Sequence, residues 1–177
     1  EAMRIDSSGR LGLGVTPEAW DSVFKVLRVG TGSSIAGELG GTSTWFNTNA
    51  YYDGSWKRIN QNTSAQIAHT SDGKQEFKVA ASGSAGSVIS WNTAMTVDNS
   101  SNVLVGTTDT TPGIGNTNAG ISMSAANGII ISRADDAPIN ISRNSSDGVL
   151  TYFRKDGTII GSIKADSGSI GIGSGDC

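Results

Sequence analysis

The unit Met3-Arg4-Ile5-Asp6-Ser7-Ser8-Gly9-Arg10-Leu11-Gly12-Leu13-Gly14 sets apolar residues on a two-residue period, broken by a turn. Met3 and Ile5 alternate as a half-buried strand does. Asp6-Ser7-Ser8-Gly9 supplies short side chains that bond their own backbone, and a Gly free to take positive φ. Leu11 and Leu13 then resume the alternation. The unit predicts a β-hairpin of two short strands.

It returns at Met95-Thr96-Val97-Asp98-Asn99-Ser100-Ser101-Asn102-Val103-Leu104-Val105-Gly106, position for position in pattern. A looser copy spans Ile163–Gly173, with a turn one residue shorter. Asp6, Asp98 and Asp166 stand 92 and 68 residues apart. That spacing excludes a compact solenoid, whose period is about 20–50 residues. It fits the same punctuation placed between longer β modules.

Composition agrees with strands and sets a limit on the core. Ile outnumbers Leu 17 to 6, a β-branched bias that favours pleated surfaces. Gly is 24 of 177 residues, and charged residues are 16%. Ile, Val, Leu and Phe together make 37 residues, a small stock for burying strands on one chain. Sharing a core among identical chains recovers the missing burial, so an obligate homo-oligomer is expected. The net charge of −3 and the lack of a Lys/Arg cluster argue against a nucleic-acid partner. No apolar run approaches the roughly 18 residues of a spanning helix, so no membrane insertion is expected.

Along the chain, Thr16-Pro17 gives a helix-start signal, and at most one helical turn is expected at 17–21. A strand follows at 23–29, with Trp20 read as a packing plug at its end. A short strand is expected at 34–36. In the aromatic stretch, Asp53-Gly54 reads as a type I′ hairpin turn, pairing 45–47 and 50–52 with 55–59. A second hairpin is expected from 65–70 and 75–80 around Asp72-Gly73. Residues 107–120 hold one large apolar residue, Ile114, and read as a linker. Strands are then expected near 121–125, 128–133, 138–143, 148–154, 158–164 and 169–173, a β-meander. The run Ile129-Ile130-Ile131 predicts a strand covered on both faces. The modules are thus 1–30, a hairpin-repeat shaft segment; 31–106, an aromatic-containing β module; the linker; and 121–177, a β-meander stem. Both ends read as cuts. The lone cysteine, Cys177, reads as a free thiol and rules out an intrachain disulfide.

Chemistry-bearing residues are sparse. The one histidine, His69, has no triad partner near it in sequence. The aspartates sit in turn contexts, where a carboxylate caps backbone amides. Asp135-Asp136, the adjacent pair, reads as turn-forming, with cation binding as the other reading. No metal site, cofactor or catalytic residue is expected, and the chain reads as no enzyme. Trp45, Tyr51, Tyr52 and Trp56, with Asn47 and Asn60, are the candidate receptor-binding residues. Their rings suit stacking on sugars, and the amides can hydrogen-bond. The other reading makes the same rings a core, with Tyr52 and Trp56 the more exposed pair because they flank a turn.

Three stretches resemble the distal part of tailed-bacteriophage tail-fibre proteins, ahead of an endosialidase-type intramolecular chaperone. They are the first hairpin unit with Val15-Thr16-Pro17; Asn49-Ala50-Tyr51-Tyr52-Asp53-Gly54-Ser55-Trp56-Lys57; and Phe153–Ile163 with Ile172-Gly173-Ser174-Gly175-Asp176. With the copy at 94–106 they cover about half the chain. The resemblance implies an all-β, elongated homotrimer of short strands and β-hairpins, with interleaved β-prism and β-meander modules and little or no helix. It implies a virion protein, extracellular, that forms a stiff rod and presents loops to a bacterial surface glycan or protein receptor. It implies other tail proteins as partners and a downstream chaperone domain beyond this span. The alternatives are a tailspike-type polysaccharide depolymerase and a cellular β-rich adhesin or filament subunit.

Overall fold

A computed structural model describes residues 2–174. Half of the chain is strand, and no helix occurs among the described residues. The fold is therefore all-β, as composition and the hairpin pattern predict. The chain forms two compact units, Glu1–Asp136 and Ala137–Cys177. Cys177 lies outside the described residues.

The first unit holds thirteen strands: β1 (Met3–Ile5), β2 (Leu11–Leu13), β3 (Phe24–Val29), β4 (Ser33–Glu38), β5 (Thr44–Thr48), β6 (Tyr51–Tyr52), β7 (Trp56–Lys57), β8 (Asn62–His69), β9 (Gln75–Gly83), β10 (Asn92–Val97), β11 (Val103–Val105), β12 (Gly120–Ser124) and β13 (Gly128–Ser132). Eleven form one sheet in chain order, with β6 and β7 leaving it as a separate pair. Neighbours are antiparallel, except that β2 and β3 run parallel. Residues 107–120, read from sequence as a linker, join β11 to β12 within this sheet.

The two hairpin units repeat at atomic level. β1 pairs β2 as Ile5↔Leu11, and β10 pairs β11 as Val97↔Val103. Asp6 Oδ1 accepts the amides of Ser8 and Arg10, each at 2.9 Å. Asp98 Oδ1 accepts those of Ser100 and Asn102, again at 2.9 Å. Each loop closes on the aspartate backbone and ends in a left-handed residue, a three-residue loop with a bulge. That residue is Gly9 (φ 73°) in the first copy and Ser101 (φ 64°) in the second. Serine holds this conformation against a clash of its Cβ.

Four local expectations in the first unit do not hold. The helical turn at 17–21 is absent: Glu18 turns to Arg28 of β3, and Trp20 enters the core. The segment instead crosses without helix from β2 to the start of its parallel neighbour, turning at the bond from the Trp20 amide to the Glu18 carbonyl (2.9 Å). β5 pairs with β4 and β8 rather than with 55–59. The Asp53-Gly54 turn is not type I′, because only Gly54 has positive φ (98°). Asp53 is held instead by Lys57, whose Nζ reaches its carboxylate at 2.8 Å. Ile129 is exposed on the edge strand β13, so that strand is not covered on both faces of this chain.

The second unit is a three-stranded antiparallel sheet, β14 (Gly148–Lys155), β15 (Thr158–Asp166) and β16 (Ser169–Ser174). Its turns, Asp156-Gly157 and Ser167-Gly168, have positive φ at both residues, as type I′ requires. The strand expected at 138–143 does not form. Pro138 has no N–H to give a ladder, and Arg143 folds back onto Ser146, its Nε donating to the backbone carbonyl at 3.2 Å.

Burial in the large sheet is inverted in its middle strands. Directly paired residues share a face, and one such row crosses every strand: Ile5, Leu11, Leu27, Ile35, Phe46, Ile67, Phe77, Met95, Val105, Ile121 and Ile131. None of these eleven is buried. The row behind it, on the opposite face, includes Arg28, Ser34, Asn47 and Gln66, and all four are buried.

In urea unfolding, Asp98→Ala is expected to cost about 1–2 kcal/mol by orphaning loop amides, and Ser101→Gly to gain about 1 kcal/mol by relieving the left-handed strain. Backbone amides lower the Asp6 pKa, with Arg10 the largest contributor; the Asn102 side chain does most to lower that of Asp98. Both groups titrate lower folded than unfolded. Their contribution is therefore complete above the ordinary value of 3.8 and is lost as pH falls through the lowered folded value. Unfolding free energy should decline on acidification below pH about 4, and less so in an Asp6→Asn/Asp98→Asn variant.

Candidate functional site

The face opposite the apolar row carries a dense cluster of large side chains. Phe24 and Val26 of β3, Ala36 of β4 and Trp20 of the crossover are buried, and Trp45, Tyr51, Tyr52 and Trp56 pack against them half-buried. Trp56 is the hub. Its ring lies 5.9 Å from Trp20, 6.0 Å from Phe24, 6.1 Å from Trp45, 5.4 Å from Tyr52 and 6.4 Å from Trp91. Most of these pairs meet edge to face, the arrangement that the ring quadrupoles favour. The β6–β7 pair is laid on the sheet by two bonds: the Asp21 amide donates to the Tyr52 carbonyl at 2.8 Å, and the Ile89 amide to that of Trp56 at 2.8 Å.

The structure thus brings Trp45, Tyr51, Tyr52 and Trp56 together and gives them a core role. Tyr52 and Trp56 are half-buried, as are Trp45 and Tyr51. The amides go elsewhere. Asn47 is buried, accepting from Gln66 Nε2 at 2.8 Å and donating to Ser34 Oγ at 3.3 Å. Asn60 sits in an exposed loop, its amide nitrogen bonded to Asn49 Oδ1 at 2.7 Å and its Nδ2 to the Thr31 carbonyl at 3.1 Å.

Two buried arginines escaped the sequence reading. Arg28 is fully buried, with Nη2 donating to Glu18 Oε1 at 2.9 Å and Nε 2.7 Å from Oε2. This two-point pairing is what guanidinium and carboxylate geometry favours. Arg58 donates to the carbonyls of Ala81 at 2.6 Å and Val88 at 3.0 Å, which pins the 81–88 loop. A Cβ at Gly83 would lie 2.8 Å from the guanidinium carbon, so a side chain there would displace Arg58. The signal for Arg28 was an alternation that puts Arg on the inward phase of a strand. It becomes readable only once the inward face is known.

The remaining polar groups serve loops. Lys74 and then Thr70 hold Asp72 at about 2. The Asn118 side chain is the largest cause of a lowered value at Asp109, with the Thr111 amide next. Asp136 lies 3.4 Å from Arg133, its neighbour three residues back. His69 is exposed on the apolar-row face, its ring 5.9 Å from that of Phe46. Among the described residues, no three His, Cys, Asp or Glu side chains converge. An open depression of about 320 Å³ adjoins the aromatic cluster, bordered by Arg10, Trp20, Phe24, Lys25 and Leu39. Its cations are already engaged: Arg10 bonds the Glu18 carbonyl at 2.8 Å, and Lys25 that of Ser8 at 2.8 Å.

No protein-family model, curated protein or solved structure matches this chain.

Because Arg28 is buried, Glu18→Gln should leave its charge uncompensated and cost about 3 kcal/mol in urea unfolding. Replacing both residues, as Arg28→Met/Glu18→Gln, should recover most of that loss.

Proposed function

We propose that the chain is a structural, non-enzymatic host-adhesion segment of a phage tail fibre, acting as a homotrimer in the virion and outside the cell. The observation that supports this most is how little the chain buries by itself. Among the described residues only nine hydrophobic side chains are buried, and four of these are alanine. A chain that is half strand and so thinly filled gains its stiffness by assembly with its own copies. The hairpin units then act as short, well-capped rungs. Of the stretches that carried the likeness to tail fibres, Met3–Leu13 lies on such a rung, Tyr51–Lys57 on the aromatic β6–β7 pair and Phe153–Ile163 on the β14–β15 hairpin.

In this reading the receptor is a bacterial surface glycan or protein. The half-buried rings Trp45, Tyr51, Tyr52 and Trp56 keep part of their surface open, and Asn60 is exposed beside them in sequence. The packed ring edges serve both as a core and as a contact rim.

The test is adsorption of the fluorescently labelled chain to host cells. Tyr52→Ser combined with Asn60→Ala should weaken binding by about tenfold, the loss of one good contact, while the circular-dichroism spectrum keeps its strand signal. Unchanged adsorption would remove the contact rim. Release of soluble saccharide from capsule or lipopolysaccharide would put the depolymerase reading in its place.

A further inference from the structure

The apolar row on the large sheet has the form of an interface. It is continuous across eleven strands, a length of roughly 50 Å at the usual strand spacing of about 4.8 Å. Its exposed members include Ile5 at 67%, Phe46 at 44%, Ile35 at 40% and Ile67 at 38%. Rows on either side add Met3, Leu13, Val29, Val79, Met123 and Ile129, all exposed. A shallow hollow of about 300 Å³ lies over this face, bordered by Val29, Ile35, Phe46 and Thr48.

The inversion of burial gives the row its meaning. In β4 and β8 the inward phase carries Ser34, Ser64 and Gln66, and the outward phase carries Ile35 and Ile67. A sheet with one face in water places its residues the other way round. The polar side chains are instead satisfied within the chain, as in the Gln66–Asn47–Ser34 relay. The outward apolar side chains therefore have their partner outside the chain.

We infer that this face packs against the same face of further copies of the chain. The inference rests on the reading of the chain as a self-assembling fibre segment, and adds where the copies meet. Three observations select a second copy as the occupant. None of the eleven row residues carries a charge, so the row offers no electrostatic handle to nucleic acid or to an acidic or basic peptide. Covering the row requires a partner with an apolar strip of equal length and regular spacing, and the chain itself carries one. Finally, the ten exposed side chains of the row and its flanks each present on the order of 70 Å², roughly 700 Å² together. This exceeds the few hundred Å² typical of a monomer's largest patch and approaches the about 800 Å² per partner of a stable interface.

Two measurements on the full chain test this. Light scattering behind size exclusion reads the mass of the wild type and of Phe46→Glu/Ile67→Glu, with Ser71→Glu as a control in an exposed turn. The expected result is a multiple of the 18.2 kDa chain mass for the wild type and the control, and a single-chain mass for the double variant. Hydroxyl-radical footprinting of the unmodified wild type guards against a variant that fails to fold. It compares two rings of the same chemistry: Phe46 in the row and Phe24, buried in the core. In the assembled protein Phe46 should be labelled about as slowly as Phe24. If the wild type is oligomeric but Phe46 is labelled several-fold faster, the assignment of this face falls and the fibre reading stands. If the wild type has the mass of one chain at every concentration, both fall. A single-chain protein that co-floats with phosphatidylcholine vesicles would likewise overturn the inference, making lipid the occupant.

Discussion

Slipping β3 by one residue would turn Leu27 inward and Arg28 outward, because strand side chains alternate with a period of two. Everything else in the first unit depends on that register being held. The aromatic cluster needs Val26, Ala36 and Trp45 aligned on one face. The apolar row needs Leu27, Ile35 and Phe46 aligned on the other. Register is set where the loops are short and chemically committed. Asp6 and Asp98 each hold two amides, so a loop with one more residue would lose both bonds at once. The Arg28–Glu18 pair adds a second lock, since its cation cannot leave the inner face without abandoning its carboxylate.

The inner face combines two materials with different demands. Around Trp56 it is aromatic, and edge-to-face contacts let large rings fill space without precise interdigitation. Along Arg28, Ser34, Asn47 and Gln66 it is polar, and each group has to find its partner. A polar row of this kind is poor at driving collapse but good at specifying alignment, because a shifted strand leaves donors unmatched. The hydrophobic drive and the specification of register are thus carried by different residues on neighbouring rows of one sheet.

What the sequence made legible follows from this division. Hairpins whose turns are local in origin could be read directly: the Asp6 and Asp98 loops, the 62–83 hairpin and the two type I′ turns of the second unit. Trp20 was readable as a plug, since a large apolar ring next to a strand has few other places to go. Errors arose where a distant partner decided the outcome. Glu18 looked like a first-turn helix residue until Arg28 claimed it. Trp45 looked like a partner for the next hairpin until β4 and β8 flanked it. Strand 138–143 looked regular, but Pro138 and the fold-back of Arg143 removed it. Of the candidate residues, the four rings were legible as a group, while the separate fates of Asn47 and Asn60 were not. The apolar row was least legible of all, because each strand contributes one residue to it and only the pairing adds them up.

The strands of the large sheet follow one another in chain order, with the β6–β7 pair as the single excursion. Such a sheet can lengthen strand by strand as the polypeptide leaves the ribosome, since each new strand needs only the one before it. The uncovered apolar row lengthens at the same pace. A nascent chain therefore presents its stickiest surface before a neighbouring ribosome has delivered another chain to meet it. Its synthesis favours closely spaced ribosomes on one message, where the waiting time for a partner is short and off-pathway clumping has little time to compete.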